Sequence, residues 1–332
     1  MNRLFIALIF TLLAGCAFSN TSTLTPSESV STSPTMTAIT PLTPTLTSIT
    51  PLYEGWLLFS RFIEASHTFT GMFVAQTDGS GEETVPLPWS EGGGRWSKSG
   101  TQIAVPTLLA DGRIGTAIIG TDGALLRVFS IPDATLNLPC TIWSTDDSRL
   151  ACEAWDDTDP SRNGIYTVRA SDGAGLQRLT TPPSGFHDLP GDYSSAGQFV
   201  FKRHTGDEDP GPLMLVDVSG GEPLVLYDRP VEDSGRFSPD GQFVVTSSNG
   251  SLMVIGMDGK VVQTISISNS YAFGPVWSPD GTRIAFSLAA ETGPFAGSFA
   301  DIYTCLPDGT DCHRVTNTSE NEILVDWGVI ND

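Results

Sequence analysis

The sequence predicts an all-β fold, a six-bladed β-propeller in which each blade has four antiparallel strands. Three observations support this prediction: a Ser-Pro-Asp-Gly turn recurs between short apolar runs, an Asp-Gly turn recurs after it, and six aromatic residues follow one another at intervals of 40 to 50 positions. These intervals are close to the length of one propeller blade. We therefore expect the repeats to fill most of the chain.

The first turn of each repeat is clearest at Ser238-Pro239-Asp240-Gly241 and at Ser278-Pro279-Asp280-Gly281. Proline presets φ, aspartate bonds its own backbone and glycine accepts positive φ, so these four residues reverse the chain. Fainter copies begin at Ser97, Ser144 and Ser194. The aromatic anchors of the repeats are Trp96, Trp143, Tyr193, Phe237, Trp277 and, near the end of the chain, Trp327.

The second turn is an Asp-Gly pair that follows the first turn in register. Its copies are Asp78-Gly79, Asp122-Gly123, Asp172-Gly173, Asp258-Gly259 and Asp308-Gly309, and Ser219-Gly220-Gly221 takes this place in the remaining repeat. Each repeat thus reads as strand A, first turn, strand B, variable loop, strand C, second turn and strand D. Four antiparallel strands in this order form one blade.

The two ends of the chain are predicted to share the sixth blade. Residues 323–329 supply a strand A with no B, C or D after it, and residues 56–60, 72–76 and 83–87 supply those three strands. Joining them closes the ring and leaves no open blade. We expect the last strand to be essential to the whole domain.

These repeats resemble the WD40-like, or PD40, repeats of the TolB family propeller over nearly all of residues 54–330. The same repeats also accompany prolyl oligopeptidase-type catalytic domains. In TolB the propeller binds partners of the cell envelope, so the resemblance implies a binding role. TolB also has a separate amino-terminal α/β domain, which a Ser/Thr/Pro-rich segment replaces here, so a role in the Tol system does not carry over.

Residues 1–16 are predicted to be a lipoprotein signal peptide. A basic start precedes an apolar run that is too short to span a membrane. The run ends in Leu13-Ala14-Gly15-Cys16, which resembles the lipobox of bacterial lipoproteins and predicts lipidation at Cys16. A plain secretory signal is the alternative. Several acyl chains would hold the protein on a membrane, at the cell surface or on the periplasmic side.

Residues 17–52 are predicted to be a disordered tether, and residues 53–332 the propeller. In the tether, 23 of 36 residues are Ser, Thr or Pro, and no apolar period is present. Proline-rich sequence favours extended conformations, so the tether holds the domain away from the membrane. Its hydroxyl groups are also possible O-glycosylation sites.

The net charge of -21 excludes nucleic acid as a partner, because 38 acidic residues outweigh 17 scattered basic ones. Apart from Cys16, the cysteines are Cys140, Cys152, Cys305 and Cys312. Each of the pairs 140/152 and 305/312 flanks its own turn, and an even number in an exported domain predicts two disulfides. A metal site near His313 is the alternative.

No catalytic residue can be assigned from motifs. The chain lacks a G-x-S-x-G elbow, an H-E-x-x-H motif, a P-loop and a dinucleotide fingerprint. Its four histidines, His67, His187, His204 and His313, are far apart in sequence, although a propeller can gather distant residues at its axis. We therefore expect a protein that is not an enzyme and needs no cofactor.

Consecutive strands run in opposite directions, so the first and second turns all lie on one face of the propeller. The B–C loops and the D–A links lie on the other face, which is the candidate binding face. The loops include 64–70, 156–163, 204–212 and 289–300, and the links include 182–190. Variable loops on a rigid scaffold are where binding usually resides. The candidate binding residues are Trp155, Asp156, Asp157, Asp159, His187, Asp188, His204, Asp207 and Asp209. The two acidic clusters are also a possible Ca²⁺ site, without the spacing of an EF-hand.

The sequence thus predicts a monomeric, membrane-anchored, extracytoplasmic domain that presents its loop face to an envelope protein or peptide. One alternative is a receptor for carbohydrate or another small ligand, with Trp89, Trp155, Tyr271 or Phe295 as stacking platforms. A further alternative is a metal-dependent polysaccharide lyase or hydrolase, which bound metal and chelator-sensitive turnover would favour.

Overall fold

The structure is a computed structural model that describes residues 55–63, 68–87, 93–129, 131, 133, 135–206, 210–290 and 299–330. The predicted signal peptide with Cys16, and the tether, lie outside these ranges. Within them the chain forms six antiparallel sheets, and the innermost strand of each sheet contacts the innermost strand of the next around a closed ring. The predicted six-bladed propeller is confirmed.

Five blades follow one another along the chain. Blade 1 contains β4 (Arg95–Trp96), β5 (Gln102–Leu108), β6 (Ile114–Gly120) and β7 (Leu125–Val128). Blade 2 contains β9 (Cys140–Trp143), β10 (Arg149–Asp156), β11 (Gly164–Arg169) and β12 (Gln177–Arg178), and the short β8 (Leu136–Asn137) pairs with the end of β10. Blade 3 contains β13 (Phe186–Tyr193), β14 (Gln198–Thr205), β15 (Gly211–Asp217) and β16 (Leu224–Val231). Blade 4 contains β17 (Arg236–Phe237), β18 (Phe243–Ser248), β19 (Ser251–Gly256) and β20 (Val261–Ile265). Blade 5 contains β21 (Ser270–Trp277), β22 (Ile284–Ala290), β23 (Asp301–Cys305) and β24 (His313–Arg314).

The sixth blade joins the two ends of the described chain, as predicted. Its strands are β25 (Asn321–Gly328), β1 (Trp56–Ile63), β2 (Thr68–Gln76) and β3 (Glu83–Val85). The pairing of β25 with β1 places Arg61 opposite Glu322, and the two side chains form an ion pair of 2.7 Å. The Arg61 guanidinium also lies 4.3 Å from the centre of the Phe73 ring. The closure therefore combines strand pairing with a buried charge pair.

The Ser-Pro-Asp-Gly turns owe their shape to their own side chains. In blade 5 the Ser278 hydroxyl donates to Asp280 at 2.6 Å and accepts from the backbone N–H of Arg283 at 2.9 Å. Blade 4 repeats both bonds from Ser238, at 2.6 Å to Asp240 and 3.0 Å from Phe243. The two copies are thus equivalent in geometry as well as in sequence.

The hydrophobic core lies between the blades. Six clusters of buried residues each draw on two adjacent blades. The six anchor aromatics belong to these interfaces, and none is more than 8% exposed. Burial of one such side chain contributes about 2–3 kcal/mol, so the ring is held by the sum of its interfaces.

Both predicted disulfides are present. Cys140 and Cys152 face each other across β9 and β10 with Cα atoms 3.8 Å apart. Cys305 and Cys312 enclose the Asp308-Gly309 turn with Cα atoms 4.1 Å apart. In the part of the chain that the structure describes, no helix has the length and apolar character needed to cross a membrane.

Candidate functional site

A central channel runs between the innermost strands and widens into a cavity of about 150 Å³. We call this the channel cavity. Its lining includes residues of all six innermost strands or of the links just before them, such as Gly94, Thr141, Ser234 and Gly274. The cavity therefore lies on the axis of the ring, between the face that carries the B–C loops and the D–A links and the face that carries the first turns.

Proline and glycine form much of the cavity wall and keep it open. The prolines are Pro106, Pro139, Pro190 and Pro275. Pro139 has no backbone N–H, and the pairing of β9 with β10 begins only after it, at Cys140 opposite Cys152. Glu153, the next residue of β10 after Cys152, lines the channel cavity beyond the end of this pairing.

Glu153 is the most perturbed carboxyl group of the cavity. Burial raises its pKa to about 7, against a smaller opposing effect of the Lys202 ammonium. No described residue donates a hydrogen bond to its carboxylate. Lys202 donates instead to the backbone carbonyl of Glu232, at 2.6 Å. A carboxyl group of this kind changes charge near neutral pH.

Two other acidic side chains on the cavity wall are held by hydrogen bonds. Glu232 accepts from the backbone N–H of Asn249 at 3.0 Å, and burial raises its pKa. Asp233 accepts from Ser247 at 2.5 Å and from the backbone N–H of Gly274 at 2.9 Å. These bonds fix both carboxyl groups to neighbouring strands.

A layer of charged residues lies deeper in the channel, toward the first turns. We call it the charged layer, and it consists of Arg95, Lys98, Asp192, Arg236 and Asp326. Four of these residues immediately precede an anchor aromatic, and in the other two blades Ile142 and Val276 take that place. Apart from Lys98, the layer is therefore a single position of the repeat, occupied by opposite charges in different blades.

The charges of this layer compensate one another across blades. Lys98 lies 3.5 Å from Asp192, which raises the pKa of the lysine, and Arg236 lies 3.8 Å from Asp326. Burial raises the pKa of Asp326 and lowers the pKa of Arg95. The Nη1 atom of Arg95 has no hydrogen-bond partner within the described ranges.

The first predicted acidic loop is ordered by its own carboxyl groups. Asp156 is buried at the end of β10 and accepts from Thr135 and Arg162, both at 2.6 Å. Hydrogen bonds from the Thr135 and Thr158 hydroxyl groups lower the pKa of Asp156. Asp159 caps a short 3₁₀ helix, Pro160–Arg162, whereas Asp157 is exposed. Of these three, Asp157 is the side chain most available to a ligand.

The structure brings together two histidines that are distant in sequence. His187 on β13 pairs with His204 on β14, and their ring centres are 5.6 Å apart. Next to them, Asp188 forms a buried ion pair of 2.6 Å with Arg203. All four residues lie in β13 or β14. These strands extend into the segments 182–190 and 204–212, which the sequence predicts to be loops or links. His204 is only 3% exposed, so it supports the blade from within.

The other binding residues predicted from the sequence are not brought together in one place among the residues that the structure describes. Asp207, Asp209, Trp89 and Phe295 lie outside the described residues. Trp155 pairs through its backbone with Asn137, and Tyr271 packs against a buried cluster. Among the residues that the structure describes, no three His, Cys, Asp or Glu side chains lie together as a metal site.

Comparison with known proteins finds no family model that matches the chain. A segment of 120 residues is 30% identical to the Tol-Pal system protein TolB of Anaeromyxobacter dehalogenans (strain 2CP-C) and covers 35% of this chain. TolB of Anaeromyxobacter sp. (strain K) matches over a segment of the same length with 29% identity. Each match spans about a quarter of the relative, 26% of its length.

Two solved structures share the fold over most of the chain. The crystal structure of TolB from Acinetobacter baumannii superposes with a TM-score of 0.60 at 16% identity, covering 83% of this chain and 67% of that one. A putative TolB from Agrobacterium tumefaciens gives a TM-score of 0.56 at 13% identity, covering 84% and 100%. The chain therefore has the six-bladed propeller fold seen in TolB.

Proposed function

We propose that this protein is an extracytoplasmic, membrane-anchored binding module that receives an extended segment of an envelope protein at the mouth of its channel. The channel cavity is the main support for this proposal. It lies on the axis of the ring between the innermost strands, and its wall is proline- and glycine-rich backbone with a few charged side chains. Concave sites with few polar groups are typical of binding pockets.

Three features support this placement in the cell envelope. Two disulfides are typical of exported domains. The similarity to Tol-Pal system proteins points to the envelope, although it covers only part of the chain. The signal peptide, lipidated Cys16 and tether inferred from the sequence would hold the propeller near a membrane with its loop face free.

The test is capture of envelope proteins by crosslinking, comparing the native chain with a variant whose cavity is filled. Ser234 lines the cavity and is partly buried, so Ser234→Tyr would occupy it. Ser171→Tyr is the matched control, because Ser171 is exposed at a second turn on the opposite face. A partner retained by the native chain and the control, and lost with Ser234→Tyr, is the expected result.

A synthetic segment of the captured protein should then bind the native chain directly in a calorimetric titration. Equal capture by Ser234→Tyr would exclude the channel mouth as the docking site. Depolymerisation of a polysaccharide by the purified chain, lost on chelation, would instead favour the enzyme alternative.

A further inference from the structure

The positive charges on the cavity wall are already compensated within the protein. Arg236 lies 3.8 Å from Asp326, and its Nη2 donates to the Val325 carbonyl at 2.9 Å. Arg95 is surrounded by the carboxyl groups of Asp326, Asp192 and Asp233, which raise its pKa against the larger effect of burial. Neither arginine therefore gives the cavity a net positive field.

The negative charge of Glu153 is only partly compensated, because the Lys202 ammonium affects its pKa less than burial does. The Lys202 ammonium is the nearby charge that acts on it, and that ammonium lies 2.6 Å from the Glu232 carbonyl, to which it donates. Glu232 and Asp233 add two more carboxyl groups to the same wall. The cavity is therefore acidic on this side.

Backbone acceptors also crowd the cavity wall near Gly191. A β-carbon at that position would lie 2.4 Å from the Ser234 carbonyl oxygen and 2.7 Å from those of Gly235 and Val200. Prolines at four lining positions supply carbonyl groups and no N–H groups. The cavity thus presents acceptors and a carboxylate to which no described residue donates a hydrogen bond, and these match a ligand rich in donors.

We propose that the channel cavity binds an ammonium or guanidinium group, such as a lysine or arginine side chain of the docked segment, with the Glu153 carboxylate as its counter-ion. The inference rests on the proposed function, since it specifies what the docking segment carries. It also makes binding dependent on pH, because a protonated Glu153 cannot act as the counter-ion.

The pH dependence of binding is set by the ionisation of Glu153 among the charged groups of the cavity. Lys202 acts on Glu153 from β14. Arg95 on β4, Arg236 on β17 and the acidic Glu232 and Asp233 in the link before β17 line the same cavity. With a pKa of about 7, Glu153 is about 90% ionised at pH 8 and about 3% at pH 5.5. Binding should therefore weaken about 30-fold between these pH values.

The experiment is an NMR titration of the full chain with n-butylammonium chloride, a probe for an ammonium group on an alkyl chain. n-Butanol serves as the uncharged probe and sodium butyrate as the anionic one. We expect n-butylammonium to bind at pH 8 more tightly than either, and to weaken about 30-fold at pH 5.5. Glu153→Gln should abolish both the preference and the pH dependence, whereas Glu83→Gln, a change on the exposed outer strand β3, should alter neither.

Three results would overturn the inference: no binding of n-butylammonium at pH 8, unchanged binding to Glu153→Gln, or a preference for butyrate through Arg95. These results are separable from failure of the proposed function. If Ser234→Tyr abolishes partner capture while Glu153→Gln captures normally at every pH, docking at the channel stands and the cationic anchor fails. If Ser234→Tyr also captures normally, the docking site itself is wrong.

Discussion

Asp326 of the last strand accepts a hydrogen bond from the backbone N–H of Trp96 at 3.0 Å, joining residues 230 positions apart. The same contact recurs half-way around the ring, where Asp192 accepts from the backbone N–H of Phe237 at 3.3 Å. In both cases the residue before one anchor aromatic bonds the anchor of the next blade. These aspartates thus connect blades at the channel, in addition to the hydrophobic packing outside it.

Replacement of Asp326 should destabilise the ring. Asp326→Ala leaves the Trp96 N–H without its acceptor and Arg236 without its carboxylate, which should cost about 2–4 kcal/mol. Urea unfolding monitored by tryptophan fluorescence measures the change. Asp157→Ala is the control, since Asp157 is exposed on a loop, and it should change stability by less than about 0.5 kcal/mol. Equal stability of the two variants would show that the inter-blade bond contributes little.

Removal of the closing strand should destabilise the entire propeller. A chain that ends at Ile323 loses Leu324, Val325 and Trp327, which are 2%, 6% and 5% exposed. It also uncovers the inner edge of β1. The loss should exceed about 5 kcal/mol, a large part of the stability of an ordinary domain. A chain that ends at Ile330 keeps β25 and should melt like the native protein. Soluble expression and unchanged melting of the shorter chain would contradict the closure.

The two disulfides should differ in their response to reductant. Cys140 and Cys152 are at most 1% exposed, whereas Cys312 of the other pair is exposed. Thiol attack requires access to a sulfur, so mild reductant should open Cys305–Cys312 first. Alkylation followed by peptide mapping gives the order. Replacing either pair with alanine should lower the free energy of unfolding by about 2–3 kcal/mol, because each loop is short. Simultaneous reduction of both pairs would argue against this difference in access.

Glu153 should make the folded state less stable as the pH rises from about 4.5 to about 7. Burial raises its pKa from 4.5 to about 7, so the folded state binds a proton more tightly than the unfolded state does. Stability from this group is therefore present below pH 4.5 and is lost progressively up to about pH 7. The loss should be about 1–3 kcal/mol, allowing for water in the channel. Urea unfolding at pH 5 and pH 8 should show a shallower decline for Glu153→Gln than for the native chain. An equal decline in the stability of the two chains would show that groups other than Glu153 cause the pH dependence.

The turns, the strand order and the disulfide pairing could be predicted from the sequence because the interactions that produce them are local. Ser278 and Asp280 bond within their own turn, and each cysteine pair encloses a single turn. The shared blade was predictable as well, since the strands missing at one end are present at the other. Strand lengths were harder to predict: β13 and β14 extend past the predicted loop boundaries and turn His187 and His204 into a cross-strand pair.

The channel cavity could not be predicted from the sequence, because it forms only in the tertiary structure. Glu153 and Lys202 are ordinary strand residues in the sequence, and nothing local shows that they act on each other in the channel. The high pKa of Glu153 comes from desolvation on burial, and Glu153 lies just beyond the end of the β9–β10 pairing. The charged residues before the anchor aromatics are visible in the sequence. They form ion pairs only because the folded ring brings blades that are distant in the chain together at one axis. The repeats thus determined the scaffold, and the closure of the ring determined the site.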